Sequence, residues 1–283
     1  VSAWQDIRTN VLIRKGIWRE YGKMSYIRDE AKGFVMRHIP PVLFVGAGPG
    51  AVDHLTLGAA RALAEAEVVL HDRLVGPEIL ALIPAHVRLM DVGKEGFGPT
   101  MTQSAINALL VAQAQTGARV VRLKGGDPGV FGRLDEEISA LEAVGLAYRI
   151  LPGLTTASVA AAALGQSLTQ RGRNAGLRIL TGHVMEGFAE QDWCGLARAG
   201  EVAAIYMGKK SARFLQGRLM MHGAAADTPV TVVENVSRPD QRVFAATLAT
   251  LPAVVADISG PAILLYGLAP RAAVPALSQL KEA

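Results

Sequence analysis

Cysteine is almost absent from this chain. Among 283 residues only Cys194 is found, which excludes an intramolecular disulfide. One thiol without a partner motif reads as a bystander rather than a nucleophile. Aromatic residues make up 5% of the chain. Five of the fifteen, Trp4, Trp18, Tyr21, Tyr26 and Phe34, crowd into the first 40 positions. No apolar run reaches the roughly 18 residues that a membrane-spanning helix needs. No secretory hydrophobic region precedes a small-residue cleavage site. The expectation is a soluble, cytoplasmic protein with no membrane partner. An excess of one charge is also missing from most of the chain. The net charge of +4 is carried by residues 1–40, with eight Lys/Arg and four Asp/Glu, while the other 243 residues hold 21 of each sign. That balance gives no bulk electrostatic case for nucleic acid, and any anionic substrate must be held by a few placed cations. The six His residues lack metal-ligand spacing, so no metal is expected. Gly153-Leu154-Thr155 is not a serine-hydrolase elbow, and no triad stands out.

What is present is a half-apolar chain with 30 glycines and many alanines, which suits close helix–sheet packing. Residues 1–41 differ from the rest and show no clear amphipathic period. They read as an N-terminal extension of unknown role, with Ile39-Pro40-Pro41 as its boundary. From residue 42 short apolar runs alternate with helical patterns. Strands are expected at 42–45, 68–70, 87–92, 120–123 and 148–151. Helices are expected at 55–66, 102–115 and 135–143. After Pro152-Gly153 a helix over 155–164 opens a second set. In it, strands fall at 177–180, 202–206, 230–233 and 263–266, with a helix at 214–221. A further strand over 243–248 suits an antiparallel pairing. The alternation predicts an α/β fold in two lobes, 42–152 and 153–275, followed by a tail over 276–283.

Two glycine loops carry the chemistry. Gly46-Ala47-Gly48-Pro49-Gly50-Ala51 follows the first strand, and Asp72 ends the next, 21 residues beyond Ala51. Taken literally, this fits a dinucleotide fingerprint with a ribose-binding acid and keeps an NAD- or FAD-linked oxidoreductase open as an alternative. Pro49 and the four residues Gly50 to Asp53, which delay the helix, argue against a helix N-terminus aimed at pyrophosphate. The second loop is the run Arg122 to Arg133, Arg-Leu-Lys-Gly-Gly-Asp-Pro-Gly-Val-Phe-Gly-Arg. There Gly125 and Gly126 let a ligand approach the backbone. Asp127 presents a carboxylate at a strand's C-terminal end, where open α/β sheets bind ligands.

The twelve-residue run resembles the signature of the uroporphyrinogen-III C-methyltransferases. Other loops match the tetrapyrrole methylase superfamily in order and spacing: Val45 to Gly50, Leu70 to Val75, Val92-Gly93-Lys94, Leu151 to Ala157, Leu168 to Gly172, Thr181-Gly182-His183, Tyr206-Met207-Gly208 and Val233 to Gln241. The likeness covers roughly residues 42–270 and extends to the methylase half of the fused siroheme synthases. It implies a two-lobed tetrapyrrole methylase-like fold with the active-site cleft between two α/β domains, and a homodimer. It implies transfer of two methyl groups from S-adenosylmethionine to C2 and C7 of uroporphyrinogen III. The products would be precorrin-1 and then precorrin-2, on the way to siroheme or cobalamin, with S-adenosylhomocysteine released. By position, Asp72 matches the proton acceptor and Lys94 the proton donor. The methyl donor falls to Pro49, Gly125, Gly126, Asp127, Val130, Thr155, Thr156, Met207 and Val236. Arg122, Arg133 and Arg171, with Lys94, are the cations placed to hold the tetrapyrrole carboxylates. The chain departs from the family pattern at Glu95, Gly98-Pro99, Leu134-Asp135 and Gln170. The donor side is nearly intact, while the substrate side is short of cations. That keeps a methylase of another precorrin, or of another acceptor, as an alternative.

Overall fold

The computed structural model describes residues 23–29, 33–93, 101–184 and 187–271. Two strands, β1 (Lys23–Asp29) and β2 (Gly33–Ile39), pair antiparallel as a hairpin. The hairpin was not expected, because neither strand carries a clean alternation of apolar and polar residues. Trp4, Trp18 and Tyr21 lie outside the described residues, as does the tail 276–283.

The first lobe is an all-parallel five-stranded sheet of β3 (Val42–Gly46), β4 (Val68–His71), β5 (Arg88–Asp91), β6 (Val120–Lys124) and β7 (Tyr148–Leu151), in the order β5-β4-β6-β3-β7. Its helices are α1 (Leu57–Glu65), α2 (Pro77–Leu80), α3 (Gln103–Gln115) and α4 (Leu134–Glu142). Local chemistry sets their ends. The Thr56 and Thr102 side chains accept the Ala59 and Ala105 N–H groups at 3.1 and 3.2 Å, which caps α1 and α3. Gly117, in a left-handed conformation, follows the end of α3.

Because strand side chains alternate, the two faces of β3 and β6 belong to different cores. Leu43, Val45, Val121 and Leu123 pack with Ala59, Ala62 and Leu63 of α1. Phe44 and Val120 pack with Ile106 and Leu110 of α3 and Leu141 of α4. Each fully buried aliphatic side chain contributes about 1.5–3 kcal/mol relative to exposure. The chain leaves β3 across the sheet toward β4, and leaves β6 the other way toward β7. The switch point therefore lies between the C-terminal ends of β3 and β6, where such sheets form a crevice.

Helix α5 (Thr156–Ala163) leads to the second lobe. Its sheet has β8 (Arg178–Thr181), β11 (Ala203–Tyr206), β12 (Pro229–Glu234), β13 (Arg242–Thr247) and β14 (Ala262–Tyr266), in the order β13-β12-β14-β11-β8. A short ribbon, β9 (His183–Val184) with β10 (Gly187–Phe188), stands apart from it. The helices are α6 (Trp193–Leu196), α7 (Ala212–Met221) and α8 (Leu251–Ala256). Only β8 and β11 pair parallel; β14 and β12 run against their neighbours, and β13 is antiparallel to β12. The expected elements are all found with ends shifted by a few residues. The short helices α2, α6 and α8 were not expected, since four to six residues are too few to show a helical period.

Three glycine loops meet at the switch point. Gly48 and Gly126 exchange backbone hydrogen bonds of 3.1 and 2.8 Å. A Cβ on Gly153 would fall 2.2 Å from the Gly126 carbonyl oxygen, and one on Gly46 would fall 2.4 Å from the Gly153 nitrogen. Gly153→Ala is expected to cost about 1–3 kcal/mol of unfolding free energy, the usual scale for an overpacked site. Gly176→Ala, into open space, is expected to stay within about 0.5 kcal/mol. Urea unfolding of both variants is the check.

Candidate active site

A cavity of about 630 Å³ opens between the two lobes. Gly126 of the glycine cluster lines it, with residues of the loops after β3, β4 and β6 on one side and after β11, β12 and α8 on the other. All nine positions assigned to the methyl donor, Pro49 through Val236, line it, and so does Asp72. Lys94 lies outside the described residues, as do Glu95, Gly98 and Pro99.

The loop after β3 does not present a dinucleotide site. Gly46 is covered by the Gly153 backbone. A 3-10 turn over Val52–His54 intervenes before α1 begins at Leu57. The helix N-terminus is therefore displaced from the glycines, and the pyrophosphate reading of Gly46 to Ala51 with Asp72 falls with it.

Asp127 does more than face the cavity. Its Oδ1 accepts the Gly129 N–H at 2.8 Å and its Oδ2 the Gly153 N–H at 2.9 Å. Each oxygen keeps a further lone pair for a donor in the cavity. Thr155 and Thr156 stand at the start of α5, and a residue from the other lobe caps this helix. The Tyr206 hydroxyl accepts the Ala157 N–H at 3.0 Å and lies 2.5 Å from Thr155 Oγ1. Phe131 rests against the Tyr206 ring, with centroids 5.3 Å apart.

Strain gathers at the same place. Among the described residues, the non-glycine positions with positive φ are Phe131, Arg133, Met207, Asn235 and Ser237. Three of these line the cavity, and the other two are sequence neighbours of lining residues. Such conformations cost on the order of 1–3 kcal/mol each and cluster at functional sites. Met207 is held there with 49% of its surface exposed, and Phe131 with 43%.

Of the three substrate-side arginines the structure contradicts one, Arg122, while Arg133 and Arg171 are exposed and stand outside the cavity lining. Arg122 is only 2% exposed and cannot reach a ligand. Its Nη2 donates to Asp72 Oδ1 at 2.5 Å, and its Nε and Nη2 to Glu137 Oε1 at 3.1 and 3.0 Å. Arg133 turns to Glu136 on its own helix, at 2.7 and 2.6 Å. Arg171 sits on an exposed turn beyond the cavity. The cations that do line the cavity are Lys124, Lys209, Lys210 and Arg238. Lys124 Nζ bonds both oxygens of the buried Glu137 at 2.9 and 3.0 Å. Burial, with the Arg122 charge beside it, pulls the Lys124 ammonium below the ordinary lysine value. Lys209 Nζ donates to the carbonyls of Ile258, Ser259 and Gly260 at 3.0–3.1 Å. Arg238 Nη2 donates to the Leu74 carbonyl at 2.8 Å and ties the lobes together. Among the described residues no carboxylate pairs with Lys209, Lys210 or Arg238. These three make the C-terminal wall electropositive. The signal was available in Lys209-Lys210, which directly follow the Tyr206-Met207-Gly208 motif.

The chain matches the tetrapyrrole (corrin/porphyrin) methylases over residues 41–252. It belongs to that family. It is 42% identical to siroheme synthase 3 of Aeromonas hydrophila over 226 residues, which are 80% of this chain and 48% of that protein. It is 42% identical to the siroheme synthase of Azotobacter vinelandii over 242 residues, 84% of this chain and 52% of that one. The chain thus spans about half the length of the curated relatives it matches. The crystal structure of the Thermus thermophilus uroporphyrin-III C-methyltransferase with S-adenosylhomocysteine superimposes with a TM-score of 0.68 at 36% identity. That likeness covers 80% of this chain and 97% of that one. The family assignment removes the oxidoreductase alternative. Among the described residues no helix is long and apolar enough to cross a membrane, and no group of three His, Cys, Asp or Glu is placed to hold a metal ion.

The Tyr206 hydroxyl is expected to matter for stability. Tyr206→Phe leaves the Ala157 N–H without its partner and is expected to lower stability by about 1–2 kcal/mol, measured by denaturant unfolding.

Proposed function

We propose that this protein is an S-adenosylmethionine-dependent methyltransferase acting on uroporphyrinogen III at C2 and C7, giving precorrin-2 through precorrin-1. The observation that carries the reading is the interlobe cavity on which all nine donor positions and Asp72 converge. The likeness to a structure complexed with S-adenosylhomocysteine supports the choice of donor.

The residues fit that donor. The Gly125–Gly126 backbone and the start of α5 offer polar main-chain groups, and Asp127 keeps lone pairs for hydroxyl or ammonium donors. Val130, Met207 and Val236 supply apolar surface for a nucleoside. When bound, S-adenosylmethionine supplies an electrophilic methyl group for an electron-rich pyrrole carbon. The protein's part is to hold donor and acceptor in line and keep water out. The macrocycle must shed a proton as the new carbon–carbon bond forms, and Asp72 at the cavity wall is the acceptor in this reading. Lys94 is the matching donor. Lys210 and Arg238 at the cavity wall, with the exposed Arg133 and Arg171, bind the tetrapyrrole carboxylates, and Lys209, whose three donors are held by backbone carbonyls, adds its charge. A homodimer acting in the cytoplasm belongs to the same reading, with sedimentation equilibrium as its check.

Calorimetry is expected to give micromolar S-adenosylhomocysteine binding and none for NAD or NADP; the reverse would refute the reading. Asp72→Ala and Lys94→Ala are expected to lower turnover by about 10²–10⁴-fold, the range for acid–base catalysis, with near-normal donor affinity. Unchanged turnover in both would sink the acid–base assignment. Lys210→Glu is expected to raise KM for uroporphyrinogen III about tenfold, equivalent to about 1.4 kcal/mol, and to leave S-adenosylhomocysteine affinity alone.

A further inference from the structure

Asp72 and Lys124 both reach the cavity, and they are the two ends of one buried chain of charges. Asp72 follows the end of β4. Arg122 and Lys124 stand two apart on one face of β6, with Glu137 of α4 above them. The guanidinium is constrained on every side. Nε and Nη2 hold Glu137 Oε1, Nη2 also holds Asp72 Oδ1, and Nη1 meets the carbonyl oxygens of Leu70 and Leu123 at 3.4 and 3.2 Å. Glu137 is fully buried and is itself held by Lys124 and by Gln103 Nε2, at 3.3 Å. Of the four charged groups only Asp72, with 29% of its side chain exposed, has appreciable access to solvent.

This arrangement is a poor device for stability alone, because desolvating two cations and a carboxylate offsets much of their attraction. It is a good device for geometry. A carboxylate at a strand end ordinarily rotates, whereas Asp72 Oδ1 here meets one donor of a guanidinium whose own position is fixed by Glu137 and two backbone carbonyls. A proton acceptor displaced by about 1 Å can lose on the order of a hundredfold in rate.

We infer that Arg122, braced by Glu137, is a positioning residue that fixes the Asp72 carboxylate at the cavity wall. The inference rests on the reading of Asp72 as proton acceptor. Lys124 completes the brace by holding the far side of Glu137, and Arg122 itself makes no contact with the ligand.

The test is a double-mutant cycle on the full chain. Arg122→Met strips a partner from a buried charge and is expected to destabilise the fold. Arg122→Lys, which keeps the charge but loses the fork, and the near-isosteric Glu137→Gln are therefore the working variants, checked first for thermal stability. Each is expected to lower kcat for methylation of uroporphyrinogen III by about 10–100-fold. KM for the tetrapyrrole and S-adenosylhomocysteine affinity are expected to stay within about twofold of the parent. In the Asp72→Ala background the same substitutions are expected to cause no further loss, because nothing is left to position. Losses that repeat in full in that background, or that track a matching loss of S-adenosylhomocysteine affinity, would mean general structural support and overturn the inference. So would unchanged kcat in both variants. If Asp72→Ala itself turns over normally, the acid–base reading fails first, and that arm separates the two failures.

Discussion

The interlobe site depends on one close approach, the meeting of three backbone segments around Gly46, Gly48, Gly126 and Gly153. The Gly48–Gly126 hydrogen-bond pair joins the loops after β3 and β6 just where the chain reverses direction across the sheet. Gly153 is pressed onto both segments at distances that leave no room for a Cβ. This contact brings the end of β7, and so the start of α5, to the floor of the cavity. Asp127 then latches Gly153 from the signature loop.

The two lobes are joined at that floor by a few specific ties. Arg238 reaches Leu74, Ser237 Oγ accepts the Ala51 N–H at 3.0 Å, and the Tyr206 hydroxyl caps α5. Each tie ends on a residue at or beside a backbone position of positive φ or a glycine without free space. The strain at Met207, Asn235 and Ser237 is thus maintained by contacts that cross from one lobe to the other. Loops held this way are pre-organised, so a ligand need not spend binding energy on ordering them.

Buried charge has a different purpose on the first lobe. Arg122, Lys124 and Glu137 lie between the sheet and α4, where the other face of β6 is purely apolar. Replacing them with hydrophobic residues of similar volume would be neutral or favourable for folding in many proteins. Their presence is better explained by the orientation they impose on Asp72 than by the stability they add.

Much of the fold was legible in the sequence. Apolar runs marked both five-stranded sheets, helical patterns marked α1, α3 and α4, and Pro152-Gly153 marked the passage to the second lobe. The hairpin at 23–39 was illegible because its strands lack alternation, and the short helices because they are under two turns long. The glycine motifs marked segments that do converge on one cavity, since a close backbone approach demands glycine at a particular place. Arg122 misled for a physical reason. A cation beside a motif is equally compatible with a ligand and with a buried carboxylate, and the partners of Arg122 come from 50 residues upstream and 15 downstream. By itself, the sequence determined the α/β class, the family and the segments that meet at the cavity, because period and glycine placement are local properties. Only the tertiary structure decided which charges face that cavity and which are spent on one another, because ion pairing depends on which distant elements fold into contact.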